Sequence, residues 1–132
     1  MAQTPEPTDR ELSILKVLWQ RGEATVREVY EALRDELPIV QNTVQAFLRT
    51  MEAKGLVRHR TVGRSFVYRP VQQGHRTRKT LVTSLLDAAF DGAVDQLVES
   101  AFQARPPSRE ELDRLKQLLA QAERDAKAKG GA

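Results

Sequence analysis

A short stretch in the middle of the chain carries side chains suited to hydrogen-bond recognition. Its members recur at the three- and four-residue spacing of one helix face and include no acid. The stripe consists of Asn42, Gln45, Ala46 and Arg49, and the polar side chains at its N-terminal end are Gln41 and Thr43. Carboxamides both donate and accept hydrogen bonds, guanidinium groups only donate, and small methyl groups offer apolar contact. This combination is suited to reading the edges of nucleic-acid bases.

Basic residues surround this stretch. Residues 37–80 contain nine Lys and Arg side chains and one acid, Glu52, whereas residues 1–36 carry a net charge of −3 and residues 81–132 a net charge of −2. The formal charge of the whole chain, +3, hides this segregation. A basic block often neutralises phosphates, although a basic face that is merely solvated gives the same pattern.

Residues that could support catalysis or metal binding are sparse. The chain has no cysteine, and its two histidines, His59 and His75, have no carboxylate at ligand spacing. It contains no phosphate-binding glycine loop, nucleophile elbow or His-Glu-x-x-His motif. We therefore expect no enzyme activity, no cofactor and no metal. We expect His59 to face a nucleic acid or to pack within the hairpin described below.

Three helices are predicted in the first 55 residues, and they must position the polar stripe. Capping boxes begin the first two, and a proline ends the second after Leu37. The third extends from Gln41 or Asn42 to Lys54. Its apolar side chains begin at Val44 and lie about 200° around the helix from the polar stripe. The polar stripe is thus predicted to face outward.

A basic hairpin is predicted after the third helix. Residues 56–62 and 65–69 have the character of strands, and Gly63-Arg64 between them suits a two-residue turn. Trp19 is expected to close the first helix against this hairpin. The basic side chains of the hairpin are Arg58, Arg60, Arg64 and Arg69, and the first three are predicted to contact nucleic acid. Three helices and a basic hairpin in this order are typical of a winged helix-turn-helix module, in which a helix enters the major groove and cations hold phosphates.

The last 60 residues are predicted to form three further helices with wide apolar stripes, and the polar end from Lys127 is expected to fray. Such a short segment is not expected to bury these stripes within itself. Pairing with a second copy is therefore favoured over folding back on the N-terminal module, with the stripe from Val94 to Phe102 at the centre. The predicted dimer contacts are Leu81, Leu85, Val94, Leu97, Val98, Ala101, Phe102, Leu112, Leu115 and Leu119.

The expected fold class is mainly α with a small β-hairpin, a winged helix-turn-helix followed by a C-terminal three-helix dimerisation region. Residues 1–72 are predicted to form the DNA-binding domain and residues 73–132 the helical dimerisation domain. No apolar run approaches the roughly 20 residues needed to cross a bilayer, and the polar first ten residues are unlike a signal peptide. We therefore expect a cytoplasmic protein without membrane insertion.

Several stretches together resemble the penicillinase repressor family, the BlaI/MecI type of transcriptional repressor. Their order and spacing cover roughly residues 8–120. The stretches are Leu12 to Trp19, Gly22 to Leu33, Thr43-Val44-Gln45, Lys54 to Val57, Phe66 to Pro70, Phe90-Asp91-Gly92 and Leu97-Val98. The resemblance implies a homodimeric repressor of a palindromic operator, with an N-terminal winged helix and a C-terminal helical dimerisation domain.

The resemblance also implies a sensor-protease pathway that relieves repression by causing cleavage at an Asn-Phe pair. That pair aligns with Ser100-Ala101, so this chain departs from the family's cleavage pattern. It departs in the third helix too, where Ala46 replaces a threonine and Thr50 a frequent arginine. A different operator sequence is therefore expected. The cysteine metal motif of the copper-responsive relatives is absent from the sequence.

Two hypotheses of different classes follow. The first is a homodimeric repressor that binds double-stranded DNA. The alternative is a winged-helix module that binds protein without sequence-specific DNA binding. The basic block favours the first hypothesis, because a protein-binding module has no need for nine cations against one acid over residues 37–80.

Overall fold

The computed structural model describes residues 6–130. The backbone divides into two compact units, one ending at Leu85 and the other beginning at Leu86. The elements are α1 (Asp9–Arg21), β1 (Ala24–Thr25), α2 (Val26–Leu33), α3 (Gln41–Ala53), β2 (Val57–Val62), β3 (Ser65–Pro70), α4 (Gly74–Phe90), α5 (Val94–Ala104) and α6 (Arg109–Gly130). This is the mainly helical fold with a small antiparallel sheet that the sequence predicts.

Both predicted capping boxes at the start of the chain are present. At α1 the Thr8 hydroxyl accepts a hydrogen bond from the backbone N–H of Glu11 at 3.3 Å, and the Glu11 carboxylate accepts one from the N–H of Thr8 at 2.9 Å. Thr25 and Glu28 repeat the arrangement at α2, at 3.1 Å and 2.8 Å. Each box satisfies two backbone donors that a helix start otherwise leaves unpaired.

The second helix is shorter than predicted. It ends at Leu33, and the Leu37 N–H donates to the Leu33 carbonyl at 2.9 Å across a turn. Pro38 disfavours helical backbone at the residue before it. The prediction that this helix continues to Leu37 is therefore wrong, although Leu37 still packs against the core.

The sheet has three strands in the order β1-β3-β2, all antiparallel. The hairpin of β2 and β3 is as predicted, with Val62 opposite Ser65 across the Gly63-Arg64 turn. The two-residue strand β1 was not predicted, because a segment this short shows no alternation. Its pairing of Ala24 with Tyr68 adds the connection between α1 and α2 to the wing.

One hydrophobic core holds the first unit together. It joins α1, α2 and α3 to the base of the sheet, and Tyr68 is its largest fully buried side chain. Burial raises the pKa of the Tyr68 phenol, so the ring stays neutral in the core. The other fully buried large side chains are Ile14, Leu18, Val29, Val44, Leu48, Met51 and Val57.

The second unit holds the end of α4 together with α5 and α6. Neither α5 nor α6 has a buried residue within the single chain. The capping box predicted at Ser108 is present, with bonds of 3.0 Å and 3.1 Å between Ser108 and Glu111. α6 continues to Gly130, and the last two residues of the segment predicted to fray lie outside the described residues. Its last turns are rich in Ala, Lys, Arg and Glu, which favour helix.

Candidate nucleic-acid interface

The orientation of α3 is fixed by its apolar side. Val44, Leu48 and Met51 have no exposed surface, so the opposite side of the helix must face outward. The structure exposes Gln41, Asn42, Thr43, Ala46 and Arg49 and leaves Gln45 half-buried. All six of these predicted residues therefore lie on the solvent side of α3.

An open groove of about 580 Å³ runs between α3, the start of α2 and the wing. It brings three predicted residues of α3, Gln41, Gln45 and Arg49, next to Arg64 at the wing turn. Arg27 lines the same groove and pairs with Glu31 at 3.0 Å. The residues that line the groove include three arginines and no carboxylate. This groove combines hydrogen-bonding amides with cations that can face an anionic partner.

The other two predicted wing arginines lie away from this groove. The Arg60 guanidinium pairs with Glu23 at 2.7 Å, and the hydrogen bond from Arg60 to that carboxylate raises the pKa of Arg60. Arg58 lies directly opposite Arg69 on the face of the sheet that alternation turns away from Tyr68. Arg64 therefore lines the groove, whereas Arg58 and Arg60 are not among its lining residues.

His59 connects the wing to α3. The Glu52 carboxylate accepts a hydrogen bond from the His59 backbone N–H at 3.1 Å and lies 2.7 Å from Nδ1 of the ring. The His59 ring packs 4.3 Å from the Phe66 ring and 5.3 Å from the Tyr68 ring. Of the two expected settings for His59, packing within the wing is the one observed. The prediction that Phe66 and Tyr68 share a face is confirmed by this cluster.

An ion pair holds the C-terminal end of α3 against α1. The Lys54 Nζ lies 2.6 Å from a Glu11 carboxylate oxygen, and Glu11 is only 3% exposed. Burial by itself raises the pKa of Glu11, but hydrogen bonds from Lys54 and Thr8 outweigh burial and hold the pKa below its usual value. The buried carboxylate is therefore charged at neutral pH and fixes the position of α3.

Three further residues at the groove or the wing were not predicted to have a role. Arg27 and Phe66 line the groove, and Phe66 is 43% exposed despite its size. Arg69 was noted as basic, but nothing assigned it a contact. The sequence could have indicated a role for Arg27, because a cation in the first turn of α2 opposes the helix dipole and so lowers the stability of the helix. Nothing in the sequence indicated that Phe66 is exposed, because strand alternation places it on the same face as the core residue Tyr68.

The predicted dimer residues of α5 and α6 are largely exposed within the single chain. Val94 is 60% exposed, Phe102 38% and Leu119 63%, while Leu97 and Leu115 are half-buried. Leu118, which was not predicted as a contact, is 66% exposed. A cleft of about 430 Å³ between the end of α5 and α6 is lined in part by Phe102, Leu115 and Leu118. In α4, Leu81 is half-buried and Leu85 is exposed.

Two other features bear on the class of protein. Within residues 6–130, no helix has the length and apolar character that crossing a membrane requires. In the same range, no group of three or more His, Asp or Glu side chains is placed to hold a metal ion.

Comparisons with known proteins bear on the same question. The penicillinase repressor family profile matches residues 7–121. The penicillinase repressor of Bacillus licheniformis is 28% identical over 119 residues, which are 90% of this chain and 93% of that protein. The transcriptional regulator BlaI of Mycobacterium tuberculosis is 31% identical over 124 residues, 93% of this chain and 89% of that protein.

A solved structure resembles the first unit. The solution structure of the DNA-binding domain of the repressor BlaI matches with a TM-score of 0.50 and 31% sequence identity, covering 56% of this chain and 90% of that one. Because the family profile spans most of the chain and a relative above 30% identity covers nearly all of it, this protein belongs to the penicillinase repressor family.

Proposed function

We propose that this DNA-binding transcriptional repressor recognises a palindromic operator as a homodimer, with α3 in the major groove and the wing on the sugar-phosphate backbone. The named relatives are a penicillinase repressor and a transcriptional regulator, and the solved domain with this fold is DNA-binding. The family is one of repressors and not of enzymes.

The groove between α3 and the wing is the observation that carries this proposal. An exposed helix face with amides and small side chains fits the major groove, where Asn and Gln can bond adenine bidentately and Ala or Thr can contact a thymine methyl. Arg49 is placed to contact a guanine or a phosphate. The three arginines along the groove, with no carboxylate among its lining residues, suit the negative charge of a sugar-phosphate backbone.

The wing supplies the sequence-independent part of the affinity. Arg64 at the turn is exposed and borders the groove, so we propose that it neutralises a backbone phosphate. The roles predicted for Arg58 and Arg60 in DNA binding stay predictions, since Arg60 is held by Glu23 and Arg58 faces Arg69.

Dimerisation through residues 73–132 completes the proposal, with residues 1–72 as the DNA-binding domain. Its support is the unburied apolar surface of α5 and α6, which a monomer exposes to water at a cost of about 25 cal/mol per Å². A twofold dimer presents two copies of α3 to two half-sites about one helical turn of DNA, or a multiple of it, apart.

A sensor-protease pathway is the further partner that we propose, on the resemblance alone. Its cleavage position, Ser100-Ala101, is exposed but lies within the regular helix α5. Because these residues differ from the Asn-Phe pair of the family, we expect a protease specific for Asn-Phe to leave this chain intact. Action on DNA implies a cytoplasmic location, which is part of the same proposal.

Selection of bound duplexes from a random library tests the proposal as a whole. The full-length protein should enrich an inverted repeat whose two halves are separated by about 10 base pairs or a multiple. Enrichment of a single half-site would contradict the dimer but not DNA reading by α3. Recovery of no enriched sequence would contradict sequence-specific recognition.

A further inference from the structure

A second pocket lies on the opposite face of the sheet from α3. It has a volume of about 390 Å³ and is lined by the end of α1, by β2 and β3, and by the segment that follows β3. Trp19, Arg58, Arg69 and Val71 are among its lining residues. It shares none of its lining residues with the groove of the proposed DNA surface.

Two arginines face each other across the strands at this pocket. Arg58 of β2 and Arg69 of β3 are directly opposed in the register, so their Cβ atoms are about 5 Å apart. Like charges in this position destabilise a sheet. On the same face, Arg60 has Glu23 as a partner at 2.7 Å, whereas in the described range neither Arg58 nor Arg69 forms an ion pair. Arg58 and Arg69 therefore concentrate positive charge at a point where no carboxylate of the described residues pairs with them.

Trp19 gives the pocket a fixed aromatic wall. Its indole N–H donates to the Gln72 carbonyl at 2.9 Å, which ties α1 to the segment after β3. Gly74 occupies one side of the ring, where a Cβ would stand 3.2 Å from the indole carbons and 3.0 Å from a guanidinium nitrogen of Arg78. Two guanidinium groups beside a rigid aromatic ring suit a ligand with an anionic group and an apolar part.

We infer that Arg58 and Arg69 form a binding site for a small free oxyanion, a phosphate or carboxylate carried on a compact apolar body that covers Trp19. Guanidinium forks match the geometry of both groups, and an anion between the two arginines removes their repulsion. Arg64, at the wing turn, is five residues from Arg69 and about 16 Å away along the strand, so the site is separate from the wing tip.

Trp19 also makes the site directly observable, because it is the only tryptophan in the chain. Titration of the full-length protein with inorganic phosphate and with phenyl phosphate, at constant ionic strength, should give a saturable change in tryptophan fluorescence. Phenyl phosphate should bind more tightly, since its ring can cover the indole. Absence of a saturable response to either probe would overturn the inference.

Substitutions localise the response. Arg58→Gln and Arg69→Gln should each raise the dissociation constant about tenfold or more, the usual effect of removing one charge-assisted hydrogen bond. Arg10→Gln removes the same charge from an exposed position in the first turn of α1 and should leave the titration unchanged. If all three substitutions weaken phosphate binding equally, the fluorescence change reflects the net charge of the protein, and a specific site is contradicted.

Thermal unfolding gives a readout that does not depend on the fluorophore. Phosphate should raise the Tm of the wild-type protein, because a ligand of the folded state stabilises it. Arg69→Gln should have a Tm equal to or above that of the wild type, since it relieves like-charge repulsion, and should no longer show the shift with phosphate. A phosphate shift that persists in Arg58→Gln/Arg69→Gln would place the anion elsewhere.

A measurement of duplex binding distinguishes a free anion from a DNA phosphate as the ligand of this site. Arg69→Gln, at an arginine without a predicted DNA contact, should leave the salt dependence of duplex binding unchanged, because Arg69 lies about 16 Å along the strand from the wing turn. If the salt dependence instead falls and the wild-type protein shows no phosphate response, the arginines belong to the DNA surface and the inference is wrong. Failure of DNA binding by the wild-type protein would leave the phosphate titration intact, so the two proposals fail independently.

Discussion

At the scale of single residues, Gln45 is the most constrained member of the polar stripe. It is half-buried at the centre of the exposed side of α3, between Gln41 and Arg49 on the wall of the groove. A glutamine held this way has fewer accessible rotamers than one on an open surface, which reduces the entropy lost on binding. Among the stripe residues it is therefore best placed to make a sequence-specific contact.

Gln45→Ala should relax the preference for one base pair in each half-site. The loss on the correct operator should be about 1–3 kcal/mol, and binding to unrelated duplexes should change little. Competition binding with a panel of single-position operator variants measures this directly. Gln20→Ala, an exposed change of the same type on α1, serves as the control and should match the wild type. Equal weakening on every sequence would mean that Gln45 does not read a base.

The buried carboxylate of Glu11 makes a prediction about pH. The pKa of Glu11 is lowered in the folded state, so its stabilising effect is fully present above the pKa of the unfolded chain and is lost as the pH falls through the lower folded value. Glu11→Gln keeps an acceptor for the Thr8 N–H but removes the charge that faces Lys54.

Chemical denaturation from pH 7 to pH 3 measures the effect. Glu11→Gln should lose about 1–3 kcal/mol of unfolding free energy at pH 7 and should show a shallower decline in acid than the wild type. Glu36→Gln, at an exposed carboxylate after α2, should follow the wild-type curve. Parallel acid profiles for Glu11→Gln and the wild type would contradict a charged Glu11 in the fold.

At the scale of elements, α3 and the wing act as one recognition unit because two sets of contacts fix them. Lys54 at the end of α3 is bound to α1 through Glu11, and Glu52 on its last turn is bound to the His59 backbone and ring in β2. Stacking of His59 on Phe66 extends this connection to β3. The wing turn is thus held at a defined position relative to α3, the helix that we propose reads bases.

Arg64→Ala tests the wing as a phosphate contact. It should weaken binding to all duplexes by a similar factor and reduce the slope of log affinity against log salt by about one unit for each phosphate that is no longer neutralised. Arg34→Ala, which removes the same charge from the exposed C-cap of α2, should leave the slope unchanged. An unchanged slope in Arg64→Ala would remove the wing turn from the contact surface.

The elements differ in how well the sequence predicts them, and the reason is the range of the interaction that forms each. Capping boxes at Thr8, Thr25 and Ser108 are local, and all three are present. The outward stripe of α3 follows from helical spacing and is also observed. Strand β1 depends on pairing Ala24 with Tyr68, far along the chain, so nothing local indicates it.

The partners of the wing side chains also depend on residues far apart in the chain, so the local sequence does not predict them. The pairing of Arg60 with Glu23 joins residues 37 positions apart, and the opposition of Arg58 and Arg69 depends on strand register. The sequence shows that the wing is basic, but only the fold shows which arginines have an acidic partner. For that reason the basic hairpin was predicted and its division into separate surfaces was not.

At the scale of the whole molecule, the two compact units bury apolar surface to very different extents. The first has a core with fully buried side chains from three helices and the sheet. In the second, α5 and α6 have no buried residue, and Leu118 and Leu119 are both more than 60% exposed. Contiguous exposed apolar surface of this kind marks an interaction site, which the proposed homodimer would bury.

Phe102→Asp should convert the proposed dimer into monomers. A carboxylate at the centre of an apolar interface would lose its hydration without a partner, at a cost of about 2 kcal/mol or more. Sedimentation of the full-length protein gives the mass. Phe102→Leu, which keeps an apolar side chain, should remain dimeric. A dimeric Phe102→Asp protein with normal helix content would place the interface elsewhere.

The central claim is that the polar stripe of α3 and the wing form a surface for double-stranded DNA. It is tested most directly by equilibrium binding of the full-length protein to a duplex across a salt series. We predict that log affinity falls linearly with log salt concentration, with a slope of about −0.9 for each phosphate neutralised. An affinity that does not change with salt, or no binding at low salt, would contradict the claim.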